Sequence, residues 1–261
     1  GRLIFTIHPT FQGIEQGRNS RSWQGEFGYR MDEQSILAEQ QRYYRARAAE
    51  YDEWWLREGR FDQGPEANAQ WWKDVETVVA ALREFEPSGR ILELAGGTGR
   101  FSQEFLATAS ELTIVDDSPE MLELNRSRLG SSKVQYVEAD IFDWTPTTRY
   151  DTVFFSFWLS HVPGTRFETL WDLVRSSLAP AGRVFFIDSL RVQSSTATDH
   201  TLPDDTDVMT RKLNDGREFD IFKVYYEPAD LEQRLTDLGW QPRIGAAEQY
   251  FLYGECVRGD D

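Results

Sequence analysis

An α/β fold built on a doubly wound, mostly parallel sheet is predicted by three observations. The stretch Arg90–Phe101 runs from an apolar strand into a glycine-rich turn, Ala95-Gly96-Gly97-Thr98-Gly99, and then into an amphipathic segment. Strand and helix patterns alternate from there to about residue 187. Acidic residues stand at the ends of successive strand patterns. Glycine lets a backbone approach a ligand closely, and the helix start beyond it offers free N–H groups. Repeated strand–helix units imply parallel strands with helices on both faces.

Residues 1–30 hold Gly13, Gly17, Gly25 and Gly28 with no sustained period and read as an irregular arm. Met31 directly precedes a helical pattern. Either Met31 is the biological start and the arm is extraneous, or the arm is an ordinary extension that packs somewhere. A helix is expected over Gln34–Arg57, where Ile36, Leu37, Tyr43, Tyr44, Ala48, Tyr51, Trp54 and Trp55 recur at spacings of three and four. Gly59 and Gly64-Pro65 punctuate it, and a second helix runs from about Glu66 to Phe85, ended by Pro87-Ser88-Gly89.

Strand one is Arg90–Leu94, followed by a helix to about Thr108. Strand two is Glu111–Val115 and ends at Asp116-Asp117. Ser118 with Pro119 opens a helix that Gly130 stops after Leu129. Strand three, Val134–Glu138, ends at Ala139-Asp140, and strand four is Tyr150–Phe155. A helix over Phe167–Leu178 leads through the turn Pro180-Ala181-Gly182 into strand five, Arg183–Ile187. Gln193–Asp207 is polar and lid-like, whereas Asp220–Tyr226 is apolar and reads as a strand or a cover over a pocket. Glu227-Pro228-Ala229-Asp230 opens a helix to Leu238, and strands over Gln241–Ala246 and Gln249–Val257 follow.

The 261 residues suffice for one large α/β domain or two small ones, and 40% apolar content can build a core. A net charge of −16 argues against a nucleic-acid partner, which needs a basic surface. The single Cys256 excludes an internal disulfide and suits a reducing compartment. No apolar run approaches the ~20 residues of a membrane helix. Leu3–Ile7 is shorter than a signal-peptide core of about 7–15 residues. The chain therefore reads as soluble and cytoplasmic, with no membrane partner; its oligomeric state is not legible.

In an open parallel sheet, ligands sit beyond the carboxyl ends of the strands. Glu93, Asp116 and Asp140 fall at those ends. An acid after strand two can accept from ribose hydroxyls. A NAD fingerprint would need a third glycine where Ser102 stands, and Glu93 would face a pyrophosphate. An acid there suits a cationic ligand better. No Gly-Lys-Ser/Thr closes the turn as a Walker A loop requires.

This spacing resembles the class I S-adenosylmethionine (SAM)-dependent methyltransferase family over roughly Tyr43 to Val257. Glu93-Leu94-Ala95-Gly96-Gly97-Thr98-Gly99 is similar to the family's first motif, with Ala95 where a glycine is usual. Val115-Asp116-Asp117-Ser118-Pro119-Glu120-Met121-Leu122 resembles the second and is the most specific match, and Ala139-Asp140-Ile141 resembles the third. Asp151–Pro163 and Leu178–Arg183 resemble the strand-four segment and the turn before strand five. The helix with Tyr43-Tyr44 and Ala49–Asp52 looks like the cover that closes over the cofactor in small-molecule members.

The resemblance implies a Rossmann-like, seven-stranded sheet with a terminal antiparallel hairpin and an amino-terminal helical cover. On that division, 31–88 is the cover and 89–261 the SAM-binding domain, with a substrate lid at about 190–227. It further implies a small-molecule methyltransferase that converts SAM to S-adenosylhomocysteine (SAH). Glu93, Ala95, Gly97 and Gly99 would surround the methionine end, and Asp116, with Asp117 and Met121, the ribose side. Asp140 and Ile141 would flank adenine, Phe155 or Ser156 would line the methionine side, and Tyr43 and Tyr44 would close the cover.

Methyl transfer needs alignment of the acceptor and, where necessary, removal of its proton. His161, just after strand four, is the candidate base because histidine titrates near neutrality. Its other reading is a histidine that shapes the pocket. Trp158, Phe222 and Tyr226 are the candidate substrate contacts within an aromatic set that also holds Phe154, Phe157 and Tyr225. Arg191 and Arg211 read as solvated charges or as receivers of an acidic substrate. Three histidines and one cysteine give no metal-ligand spacing. The acceptor atom stays open, and the rival functions are a non-catalytic SAM- or SAH-binding partner subunit and a NAD-linked oxidoreductase.

Overall fold

A computed structural model describes residues 32–259, which contain six α-helices and nine strands. The expected arm over residues 1–30 lies outside them. Seven strands form one sheet in the order β3-β2-β1-β4-β5-β9-β8. In chain order these are β1 Gly89–Leu94, β2 Ala109–Asp116, β3 Val134–Glu138, β4 Tyr150–Ser156, β5 Leu178–Ser189, β8 Trp240–Ala246 and β9 Phe251–Arg258. The first five pair in parallel, and β9 runs antiparallel to both β5 and β8, which is the expected terminal hairpin. Val153, Phe154 and Phe155 on central β4 are all fully buried, because a parallel sheet is covered on both faces. Phe155 joins Leu92, Leu94 and Trp171 in one core; Phe154 joins Ile91, Phe105 and Trp71 in the other.

The expected first helix is broken. Asp32 caps α1, Glu33–Arg47, by accepting from the Ser35 N–H at 2.8 Å. A 3₁₀ turn over Ala48–Glu50 follows, then the short α2, Tyr51–Leu56, which ends at Arg57 with φ +59°. The break re-aims the apolar stripe. Tyr43 on α1 packs against Phe219, whereas Trp54 and Trp55 on α2 meet Phe157 and Phe101 beside the glycine turn. α3, Pro65–Phe85, follows and buries Trp71, Val75, Val78 and Leu82.

The helix expected after the glycines is a single 3₁₀ turn, Ser102–Phe105. Length explains this. Ala109 already pairs with Gly89, so the chain must return from the top of β1 to its base, at least about 17 Å at strand spacing. Ten residues of α-helix, at 1.5 Å each, fall short of that. α4, Pro119–Leu129, starts where expected, with the Ser118 hydroxyl accepting from the Met121 N–H at 3.2 Å. α5 covers Phe167–Ser177 and α6 Pro228–Asp237. β5 begins earlier than expected, and Pro180–Gly182 sits in a register break within it: Tyr150 pairs with Leu178, but Thr152 with Arg183.

The stretch expected as an irregular lid contains a hairpin. β6, Val208–Lys212, pairs antiparallel with β7, Glu218–Phe222, as a separate two-stranded sheet. Asn214-Asp215-Gly216 turns it, with Gly216 at φ +90°. The hairpin lies on α1, where Leu213 and Ile221 bury Tyr43.

Candidate active site

A cleft opens beyond the carboxyl ends of β1, β2, β3 and β4, roofed by α1 and α2. Its floor at β1 is Ala95 and Gly97. Ala95 takes φ +51°, a left-handed conformation that alanine rarely adopts and glycine adopts freely. Gly99, at φ +83°, is required by space as well: a Cβ there would lie 2.8 Å from Asn125 Cγ. Asn125, fully buried on α4, donates to the Gly96 and Gly97 carbonyls at 3.4 and 3.3 Å and to Ser102 Oγ at 3.1 Å, which fixes the turn. The α2 roof is tied to the same turn. Asp52 accepts from Thr98 Oγ1 at 2.8 Å and from Arg100 at 2.6 Å, and also pairs with Arg128. Burial pushes Asp52 up, but the bonds from Arg100 and Thr98 and the charges of Arg128 and Arg100 outweigh it and hold the carboxyl below its usual value.

Acids cluster at one end. Asp116, at the last position of β2, accepts from the Gly97 N–H and the Ser118 N–H, each at 2.9 Å. Each oxygen keeps a lone pair, so the carboxylate can still accept from a diol. Burial raises Asp116, partly offset by those N–H groups. Burial and the Asp116 charge push Asp117 up to about 6. Asp140 receives Gln41 Nε2 at 3.0 Å and the Phe142 N–H at 2.9 Å, and Met121 and Ile141 supply apolar walls.

The other end holds Ser156, Phe157, Trp158, Tyr44 and His161. Phe157 takes φ +53°, an uncommon conformation for a bulky residue and a feature of ligand sites. His161 Nδ1 lies 2.7 Å from the Phe222 carbonyl, so Nδ1 carries the proton and donates. Nε2 then accepts from the Tyr44 hydroxyl at 2.8 Å. Burial first, and the nearby Lys223 charge second, hold His161 well below the usual histidine value. The near-neutral titration expected from the sequence is therefore absent in the folded site. Burial likewise pushes Tyr44 well above its usual value.

Tyr44, Ala95, Gly97, Asp116, Asp117, Met121, Asp140, Ile141, Ser156, Trp158 and His161 thus meet in one cleft. Six expected residues do not line it. Glu93 lies under the turn at 2% exposure, and burial pushes it to about 8, so it presents no charge to the cleft. Gly99 faces Asn125, and Tyr43 packs under the hairpin. Phe155 stacks on Phe186 in the core, and Tyr226 packs on Phe167. Phe222 contributes its backbone carbonyl to His161. Residues missed by the sequence reading are Leu37, Gln40, Gln41, Phe142 and Arg166, whereas Tyr51 comes from the Ala49–Asp52 stretch expected in the cover. The first three share a helical face with Tyr44, a signal that was present in the 3–4 spacing.

A methyltransferase-domain family model matches residues 91–182. The demethylmenaquinone methyltransferase of Clavibacter sepedonicus is 37% identical over 121 residues, 45% of this chain and 46% of that protein. The chain thus spans about half the length of the curated relatives it matches. A DhpI–SAH complex superposes with a TM-score of 0.70 at 36% identity, covering 88% of this chain and 100% of that one. A DhpI–SAM–HEP complex gives the same TM-score of 0.70 and 36% identity, over 87% and 100% of the two chains. With this likeness covering the whole of that chain at 36% identity, the chain belongs to the class I SAM-dependent methyltransferases.

Proposed function

We propose that this chain methylates a small-molecule acceptor held at the Tyr44–His161 end of the cleft. One observation carries the reading: a single cleft joins a bonded acid at the end of β2 to a tyrosine–histidine pair beyond β4. The residues fit a nucleoside with a cationic tail. Asp116 has free lone pairs for the ribose, Asp140 would accept from an adenine amino group, and Met121 and Ile141 would give the ring apolar walls. Gly97 leaves its cleft side open, since a Cβ there would meet nothing within 4 Å. When bound, SAM supplies a methyl group already activated on a sulfonium. Ala95, Ser156 and Tyr51 then orient the methionine end, and Trp158 and Phe157 exclude water from the acceptor. Gln40 braces the histidine turn by donating to the His161 carbonyl at 3.1 Å and accepting from the Phe222 N–H at 3.0 Å. The neutral His161 Nε2 is the proton acceptor for a hydroxyl that displaces Tyr44, or for Tyr44 itself.

Among the described residues no helix is long and apolar enough to cross a membrane. The net charge of −16 and the buried free thiol of Cys256 support a cytoplasmic enzyme with no nucleic-acid partner. The test is SAH release from SAM across phenols, carboxylic acids, amines and thiols. Turnover with at least one class is expected. SAM binding without turnover on any of them favours a non-catalytic binding subunit.

A further inference from the structure

Beside the Tyr44–His161 pair, a side chamber of about 30 Å³ adjoins the cleft and shares Tyr44, Tyr51, Phe157 and His161 with it as lining. On its far side three cations converge: Arg47 from the last turn of α1, Arg211 from β6, and Lys223 directly after β7. Arg47 is 8% exposed, with its guanidinium 4.7 Å from the Tyr51 ring centroid and 5.5 Å from that of Tyr43. Arg211 donates to Thr196 Oγ1 and its buried Nε has no partner. Lys223, 4% exposed, donates to Ser160 Oγ at 2.7 Å and lies 3.7 Å from Asp188.

Among the described residues, no carboxylate lies within 4.0 Å of either guanidinium. Glu50, the acid nearest Arg47 in sequence, accepts from the Asn214 N–H at 3.0 Å and sits 3.9 Å from Arg60. His200, held down to about 3 by burial and by the Arg211 charge, is neutral and accepts from the Lys212 N–H at 2.9 Å. Asp188 therefore pairs with one of the three cations, and Arg47 and Arg211 have no ion-pair partner among the described residues, the charge of Glu50 reaching Arg47 only from a distance. Arg47 is buried and Arg211 half-buried, so leaving them without an ion-pair partner is costly, and in a chain of net charge −16 such a cluster is not a by-product of composition. A single water needs about 10–15 Å³ of such space, so the chamber admits a group of a few heavy atoms and no ring.

We propose that this chamber is the anion subsite of the methyl acceptor, which is a small molecule bearing a carboxylate or a tetrahedral oxyanion. The proposal rests on the methyltransferase reading of the main cleft. Arg47 and Arg211 supply forked N–H donors suited to either group, and Lys223 adds a point charge. An acceptor anchored there extends its nucleophile past the Tyr44 hydroxyl and His161 Nε2 into the cleft. The bound anion also offsets the positive charge that depresses His161, so acceptor binding strengthens the base.

The test is calorimetry at low ionic strength on the full chain. SAH is titrated first; inorganic phosphate and acetate are then titrated into the SAH-loaded protein. Saturable binding of at least one anion is expected, weakened at least tenfold in both Arg211→Gln and Arg47→Gln, with SAH affinity unchanged as the control for folding. Phosphate alone identifies a tetrahedral oxyanion, and acetate alone a carboxylate. SAH binding without saturable anion binding overturns the subsite and leaves the methyltransferase reading intact. Anion binding equal in wild type and both variants overturns the subsite as well. Failure of the wild-type chain to bind SAH, read before any anion is added, overturns the underlying reading and the subsite with it.

Discussion

Replacing Glu93 by glutamine should stabilise the fold by an amount that grows with pH. Glu93 lies on β1 between Ile114 of β2 and Phe154 of β4, at 2% exposure, and its Oε2 has no partner. Burial pushes the carboxyl to about 8, with the Ser102 hydroxyl lowering it and the Asp116 charge raising it. The folded chain therefore holds a proton that the unfolded chain releases above its ordinary value near 4.5. Between those limits the native state binds more protons, so stability falls as pH rises, by up to about 1.4 kcal/mol per unit. From pH 5 to pH 7 the loss is about 2–3 kcal/mol, or roughly 4–12 °C in a domain of this size. Glutamine keeps the shape and cannot ionise. The melting temperatures of Glu93→Gln and wild type should therefore diverge steadily between pH 5 and 8, read by scanning calorimetry in matched buffers. A difference that stays constant across this range would refute the reasoning, because it would mean that Glu93 does not retain its proton on folding.

Asp116→Ala should weaken SAH binding by about 1.5–3 kcal/mol, since it removes a charged acceptor, and unchanged affinity in a folded variant would exclude Asp116 from the ribose site. Ala95→Gly should raise stability by about 0.5–1 kcal/mol: relief of a left-handed alanine at φ +51° gives about 1–2 kcal/mol, less the extra freedom of glycine in the unfolded chain. A lower denaturation midpoint for that variant would contradict the strain. His161→Gln should lower kcat by about 10²–10⁴-fold with SAH affinity intact. Wild-type kcat should show no histidine inflection near pH 6.5, because burial and Lys223 hold His161 well below that value; a wild-type rate that titrates there, or full turnover by His161→Gln, would count against this role.

Local signals were legible in the sequence and convergent ones were not. The strand–turn at Arg90–Gly99, the Ser118-Pro119 helix start and Asp116 at a strand end depend on neighbours in the chain, and all were read correctly. Tyr43 and Tyr44 sit a third of a turn apart on α1, and periodicity alone does not say which faces a ligand and which faces a hairpin. The same holds for Phe155, which points into the sheet core while Ser156 reaches the cleft one residue later. Glu93 was assigned to the cleft from charge complementarity, but the end of β1 is covered on both faces, which leaves Glu93 buried beneath the turn. The hairpin had a turn signal in Asn214-Asp215-Gly216 but lay inside a polar stretch that masked it. Arg191 and Arg211 looked alike in sequence. Arg191 bonds to Asp204 at the surface, whereas the hairpin turns Arg211 inward to join Arg47 and Lys223.

Calorimetric titration of the chain with SAM, SAH and NAD tests the central claim most directly. Saturable binding of SAM and SAH is expected, with no comparable binding of NAD. Tight binding of NAD with silent SAM and SAH titrations would contradict it.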